Sequence, residues 1–265
     1  SAPQDLARIL TLAQEESLPV AIVGKGTNLL VLDEGVSGLV LCVEQDASGI
    51  HMLDEKTIFA PAGVPLSKVC SFALEQGLTG LEFAWGIPGS VGGAIYMNAG
   101  AYGREMKDVL LFSTHLDAHN QFVHMPVEQL ELSYRHSRYT QGSDCILGGA
   151  FRLEKGDRQQ IKTQMDEIGK KRVEKQPLEY PSAGSTFKRP QGAYASALID
   201  QCGLKGLRVG GAMVSEKHAG FVINAGGATS TDVLQLVEQV KEAVQKQTGY
   251  LLECDMIPLV PQLRG

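Results

Sequence analysis

The sequence predicts an α+β protein of two domains, and three of its features carry that reading. Apolar residues recur at helical spacing in some stretches and form short unbroken runs bounded by Gly or Pro in others. Glycines are clustered rather than periodic, most densely between Gly80 and Gly103. Composition then shifts near residue 155, beyond which the order strand–strand–helix–strand within about 60 residues fits a small α+β domain covering one sheet face. Residues 1–154 and 155–265 are expected to fold separately.

Asp5 to Glu16 reads as an amphipathic helix, with Leu6, Ile9, Leu10 and Ala13 on one face. Val20 to Val23 is a short apolar strand ended by Gly24-Lys25-Gly26, and Gly38 to Val43 and Thr57 to Ala60 are further strands. Leu66 to Gln76 is a second helix, stopped by Gly77. Val109 to Leu116 and Phe122 to Met125 flank Asp117-Ala118-His119-Asn120 and read as a hairpin; Cys145 to Leu153 is the next strand. Asp157 to about Lys175 is a charged helix ended by Pro177 and Pro181. A loop at Ser182 to Pro190 leads to a helix at Ala195 to Cys202 and strands at Leu207 to Val214 and Gly220 to Asn224. A helix from Thr231 to Thr248 follows, with Thr231 as N-cap and Asp232 in the first turn, where the helix dipole favours negative charge. Leu251 to Leu259 is the last strand.

With 43% apolar and 20% charged residues, the chain is not intrinsically disordered. Its net charge of −6 argues against sequence-independent nucleic-acid binding, which requires a basic face. An anionic ligand must therefore be held by a few placed cations and backbone N–H groups. The five cysteines are dispersed and none has C-x-x-C spacing, which reads as reduced thiols in a cytoplasmic protein. No apolar run approaches the roughly 18 residues of a membrane-spanning helix, and the start, Ser-Ala-Pro-Gln, has neither a signal-peptide profile nor an initiator Met. The expectation is a monomer without nucleic-acid or membrane partners.

Two glycine segments carry the ligand signal. Gly24-Lys25-Gly26-Thr27-Asn28-Leu29-Leu30 follows a strand, as a phosphate-binding turn does, but Leu29 stands where a G-x-G-x-x-G fingerprint needs glycine. It reads either as an anion cradle with Thr27 and Asn28 as added donors or as a tight structural turn. Gly86-Ile87-Pro88-Gly89-Ser90-Val91-Gly92-Gly93-Ala94 is stronger: Pro88 lacks an N–H, and Gly89, Gly92 and Gly93 remove Cβ atoms where a ligand approaches. Its apolar continuation through Tyr96, Asn98 and Tyr102 to Gly103 is too smooth for a solvent loop. Two such segments in one domain point to a bound pyrophosphate.

G-x-G-T-N-L-L, followed by G-I-P-G-S-V-G-G-A-x-Y-M-N-A-G-A-Y-G, resembles the UDP-N-acetylenolpyruvoylglucosamine reductases, flavoenzymes of peptidoglycan precursor synthesis. Tyr134-Arg135-His136-Ser137-Arg138-Tyr139, Pro181-Ser182-Ala183-Gly184-Ser185-Thr186-Phe187-Lys188-Arg189-Pro190 and Val214-Ser215-Glu216-Lys217-His218-Ala219-Gly220-Phe221 agree, in family order. The short loops around Tyr134 and after Ser185 resemble the shorter of the family's two types.

The resemblance implies an FAD-binding domain of the vanillyl-alcohol-oxidase (PCMH) type and a smaller C-terminal α+β substrate-binding domain. It also implies NADPH as hydride donor and reduction of UDP-N-acetylglucosamine enolpyruvate to UDP-N-acetylmuramate. The hydride reaches the substrate's C3 through the flavin, and a proton reaches C2. That chemistry needs an acid near C2 and positive charge where an enolate develops on the carboxylate. By the resemblance, Ser185 is the proton donor and Arg135 faces the carboxylate, where a guanidinium fork suits two oxygens. The family's catalytic glutamate falls on Asp255, with Glu253 as the alternative, since residues two apart on a strand share a face. Gly24 to Leu29 and Gly86 to Ala94 would hold FAD. Tyr134, Arg172, Lys175 and Lys188 would meet the nucleotide sugar, although charge on a helix is also simply a solvated face. Arg189 stands where the family often has Asn. His218 reads as a core histidine, and His115, His119 and His124 as solvent-exposed, with no metal site among them. The family's T-x-x-I-G-G-P-A segment has no counterpart before Asp5, so a strand of the FAD fold is expected to be missing from this sequence. The competing readings are an oxidase of the same fold and a non-catalytic nucleotide-sugar binder.

Overall fold

A computed structural model describes residues 3–264, which divide into two units. The first takes the chain up to Lys25, Ser37–Lys170 and the stretch from Pro261; the second takes Gly26–Val36 and Lys171–Val260. The main stretch of the second unit starts at Lys171 rather than near residue 155, because Ile161 and Met165 of helix α4 (Arg158–Lys175) are buried in the first unit's core.

In the first unit, helix α1 (Pro3–Glu15) starts two residues earlier than its apolar pattern, since proline is tolerated in a first helical turn. Leu10 and Ala13 of α1 pack with Val20, Leu116 and Cys145. Val20–Val23 pairs in parallel with Leu39–Cys42. An antiparallel sheet of five strands runs in the spatial order 122–126, 110–116, 145–152, 57–61, 51–54. Helix α2 (Leu66–Glu75) buries Leu66, Val69, Cys70 and Ala73 in the same core and ends at Gly77, whose φ of +66° is the left-handed value a glycine stop supplies. Helix α3 (Val91–Tyr96) lies on the strand Cys145–Arg152. Gly149 makes this contact possible, because a Cβ there would stand 2.6 Å from Ile95 Cδ1.

In the second unit, helices α5 (Ala195–Gln201) and α6 (Ser230–Thr248) cover an antiparallel sheet of strands 208–209, 212–214 and 222–224. Leu236, Val237, Val240 and Val244 of α6 form the buried stripe expected from their spacing. The N-cap is Thr229 rather than Thr231: its hydroxyl accepts from the Asp232 N–H at 3.0 Å, and Asp232 accepts from the Thr229 N–H at 3.1 Å, a reciprocal capping box. Leu207–Val214 is a tight hairpin rather than one strand. It turns at Gly210 (φ +51°), where a Cβ would lie 2.4 Å from the Asp232 carboxylate. Leu251–Leu259 is not one strand either. It bridges Phe187 through Cys254, bends at Met256, and then Ile257–Pro258 pairs in parallel with Leu29–Leu30. Among the described residues no helix is long and apolar enough to cross a membrane.

Candidate active site

Gly24, which opens the first glycine segment, meets Ser90 of the second inside the first unit. A Cβ on Gly24 would lie 2.2 Å from Ser90 Oγ, so only glycine lets the end of the strand approach this closely. Ser90 is buried, and its hydroxyl accepts from the Gly93 N–H at 3.4 Å, capping α3. The loop before it takes φ +79° at Gly86 and is pinned by the Leu66 N–H donating to Gly89 O at 3.0 Å. Gly86, Pro88 and Gly93 are exposed and Ile87 and Gly89 half-buried, which leaves one side of this backbone open. Gly92 and Ala94 are buried instead. The Gly92 N–H donates to Ala62 O at 2.8 Å, and a Cβ there would meet Ala62 Cβ at 2.9 Å. Packing against Ala62, not approach of a ligand, accounts for the missing side chain at Gly92. Lys25 supplies a cation, 3.5 Å from Glu44. Ser90 already fills the space beside Gly24, so what fits a diphosphate such as that of FAD is the open small-residue backbone at Gly86, Gly89 and Gly93.

Arg135 is carried on a two-residue turn of the same unit, closed by Ser133 N–H to His136 O and His136 N–H to Ser133 O, both at 3.1 Å. Tyr134 and Arg135 form its tip; Arg135 takes φ +55°, and its guanidinium stands 5.7 Å from the centre of the Tyr134 ring. A non-glycine residue held left-handed is sparsely populated and gathers at functional sites. The turn is tied to the glycine-rich stretch by Asn98 Nδ2 donating to Ser133 O at 2.9 Å and Ser137 Oγ donating to Tyr96 O at 2.7 Å.

In the second unit, Ser185 lies in the loop after Gly184, half-buried, with its hydroxyl 3.5 Å from Phe187 O. The next residue, Thr186, accepts from the Asp255 N–H at 2.8 Å and gives its hydroxyl oxygen to the Val222 N–H at 2.9 Å. Leu252 and Cys254 face the apolar core, and Glu253 and Asp255 point away from it as alternation requires. Their surroundings differ, however. Asp255 is 4% exposed, whereas Glu253 is exposed and pairs with Lys188 at 3.2 Å. Asp255, the first choice for the family's glutamate, is the enclosed carboxyl, and Glu253, the alternative, stands in solvent. The turn 26–30 belongs to this unit. Gly26 has φ +66°, Thr27 O lies 3.9 Å from where a Gly184 Cβ would be, and Asn28 Nδ2 donates to Asp255 O at 2.8 Å. Leu29 is a strand residue paired with Ile257.

Arg172 is half-buried and Lys175 exposed in the last turn of the helix Arg158–Lys175, a place the helix dipole favours for cations. Arg189 stacks its guanidinium 4.3 Å from the centre of the Tyr194 ring. His218 Nδ1 accepts from the Gly220 N–H at 3.1 Å, and burial holds its pKa below the ordinary value. His119 and His124 are exposed as expected, but His115 is not: it is 1% exposed, 3.0 Å from Tyr139 Oη and 3.5 Å from Asp144. Burial lowers its pKa, against the pull of Asp144. Asn98 and Thr186 were not singled out by their residue types. The signal for Asn98 was a polar residue inside an otherwise apolar run.

Residues 1–125 match the family described as FAD binding domain, and residues 176–258 match the UDP-N-acetylenolpyruvoylglucosamine reductase C-terminal domain. The chain is 47% identical over 259 residues to the UDP-N-acetylenolpyruvoylglucosamine reductase of Agathobacter rectalis, covering 94% of this chain and 82% of that protein. It is 44% identical over 260 residues to that of Caldanaerobacter subterraneus subsp. tengcongensis, covering 98% and 83%. The crystal structure of UDP-N-acetylenolpyruvylglucosamine reductase from Thermus caldophilus superposes with a TM-score of 0.81 at 34% identity, over 97% of this chain and 90% of that one. Likeness at this level over most of both chains fixes the assignment, and the protein belongs to the UDP-N-acetylenolpyruvoylglucosamine reductase family of FAD-dependent oxidoreductases.

Proposed function

We propose that the protein uses NADPH to reduce UDP-N-acetylglucosamine enolpyruvate to UDP-N-acetylmuramate for peptidoglycan synthesis, as a cytoplasmic monomer. FAD, when bound, supplies the relay that carries hydride from NADPH to C3 of the substrate. The protein's own residues handle the charge and the proton that this transfer demands. Arg135 holds the substrate carboxylate in its guanidinium fork and stabilises the negative charge that moves onto it as C3 gains hydride. Ser185 delivers the proton to C2. A serine hydroxyl is a weak acid, so it needs a second group to stabilise or reprotonate it, and Asp255 is the carboxyl we assign to that task. Lys188, Arg172, Lys175 and Tyr134 bind the nucleotide sugar. Gly24 to Asn28, Gly86 to Gly89 and Gly93 hold the cofactor's diphosphate.

The observation that carries this reading is the pairing of Asp255 N–H with Thr186 O at 2.8 Å, which seats an enclosed carboxyl across from the serine loop. The test is a coupled assay of the enzyme with NADPH and the enolpyruvyl sugar. Ser185→Ala is expected to keep flavin reduction by NADPH and to lose lactyl product by roughly 100-fold or more, the usual weight of a positioned acid. Unchanged product formation by Ser185→Ala would remove Ser185 from the mechanism. Peroxide formed rapidly with simple alcohols, without lactyl product, would favour an oxidase instead.

A further inference from the structure

Asn98 is a buried polar residue, 2% exposed, at a left-handed φ of +40°. Its side chain bonds three residues in two separate stretches of the first unit. Nδ2 donates to Glu105 Oε2 at 2.6 Å and to Ser133 O at 2.9 Å, and Oδ1 accepts from the Lys107 N–H at 2.9 Å. Its own N–H donates to Ile95 O at 3.1 Å, at the end of the helix that carries the second glycine segment. Ser133 is the residue that opens the Arg135 turn, and its N–H and carbonyl both take part in closing it. The amide therefore grips the base of the turn, while the helix end fixes the amide. Asparagine suits the place on two counts. It tolerates the left-handed backbone, and it offers a donor and an acceptor on one short side chain.

We propose that Asn98 is a positioning residue for Arg135: by bonding Ser133 O it sets the direction in which the turn presents the guanidinium. The inference rests on the role given to Arg135 above. Arginine is long, and without the Asn98 bond the Ser133 side of the base would lose its tie to the glycine-rich stretch, leaving the Ser137 side held at Tyr96 O. Orientation of a charge-stabilising group matters steeply, since a displacement of about 1 Å can cost roughly 100-fold in rate. The chemistry affected is the step in which the substrate carboxylate gathers charge. Reduction of the flavin by NADPH does not involve that carboxylate.

The experiment uses the FAD-loaded enzyme and follows flavin absorbance in each half-reaction separately. Asn98→Gly keeps a left-handed backbone accessible and deletes the amide. It is expected to change the rate of flavin reduction by NADPH by less than about twofold and to slow reoxidation by the enolpyruvyl sugar by roughly 10- to 100-fold. Asn98→Asp, which keeps the acceptor for Lys107 and loses the donor to Ser133, is expected to show the same split and serves should the glycine variant fold poorly. In the double variant with Arg135→Gln, removing the amide should cost less than about twofold further, because two residues acting through one group are not additive. If Arg135→Gln slows reoxidation and neither Asn98 variant does, the positioning role is wrong and the Arg135 assignment stands. If Arg135→Gln leaves reoxidation unchanged, the Arg135 assignment falls, and this inference with it. Slowing of both half-reactions together, or full additivity with Arg135→Gln, would mark Asn98 as a structural residue only and overturn the proposal.

Discussion

Asn28 donates its side-chain amide to the main-chain oxygen of Asp255 at 2.8 Å. A residue expected to serve the cofactor thus braces the enclosed carboxyl. The bond lies where the chain changes partners, from the antiparallel bridge at Phe187 to the parallel pairing with Leu29–Leu30. Asn28→Ala is expected to lower stability by about 1 kcal/mol, the usual net weight of such a bond. It should also slow reoxidation by substrate more than reduction by NADPH. Loss of FAD with both half-reactions otherwise unaltered would return Asn28 to a purely cofactor role.

The approach of Gly24 to Ser90 gives a second test. Gly24→Ala forces the Ser90 hydroxyl off the Gly93 N–H and so removes the cap of α3, a loss of about 1 kcal/mol. Flavin retention, read by fluorescence after gel filtration, is expected to fall with it. Adding Ser90→Ala relieves the collision, so the pair should be less destabilised than the two single changes combined, as a double-mutant cycle would measure.

Glu253 and Asp255 should separate cleanly in kinetics. Glu253→Gln loses an exposed ion pair with Lys188, worth about 0–1 kcal/mol, and is expected to keep turnover within about twofold. Asp255→Asn should leave flavin reduction intact and slow substrate reduction by roughly 10-fold or more. The reverse ranking would move the catalytic assignment to Glu253.

Asp33 provides a prediction in pH. Its carboxylate accepts from the Ser230 N–H at 2.7 Å and from the Thr231 N–H and hydroxyl at 3.0 and 2.8 Å, at the start of α6. These bonds, the Ser230 N–H foremost, hold its pKa at about 2 against the ordinary 3.8. A depressed carboxyl pKa stabilises the fold above the unfolded value and loses that contribution as pH falls through 3.8 towards about 2. The stability gap between the native protein and Asp33→Asn, followed by urea unfolding, should be constant near neutrality and shrink below pH 3.8. A gap independent of pH would show that the carboxylate charge contributes nothing.

The parts of the fold legible in sequence were those set by local pattern. The stripe of α6, the stop at Gly77 and the hairpin around Asp117–Asn120 follow from periodicity and turn chemistry within a few residues. Leu207–Val214 misled because its apolar run concealed a turn whose glycines answer to Asp232, a residue on another element. Leu251–Leu259 misled for a related reason, since the partners that break it in two lie at 187 and at 29–30. His115 looked like a surface residue because Tyr139 and Asp144, which enclose it, are distant in sequence. Arg264 is likewise enclosed by residues distant in sequence, bonding the backbone oxygens of Ser143 and Asp117. In the candidate site, the family motifs around them, not their residue types, marked Ser185 and Arg135. The braces behind them, Thr186 and Asn98, act through backbone carbonyls and leave little trace in a motif.

The loan of residues 26–36 to the second unit, and of the tail from Pro261 to the first, makes the gene hard to dissect. A fragment beginning at Lys171 would carry Ile257–Pro258 with no strand beside it and α6 without the Asp33 that covers its opening N–H groups. Splitting the coding sequence once, anywhere near the middle, cannot yield two self-sufficient pieces. Fusions and tags therefore belong at the ends, and recombination would have to exchange this protein whole.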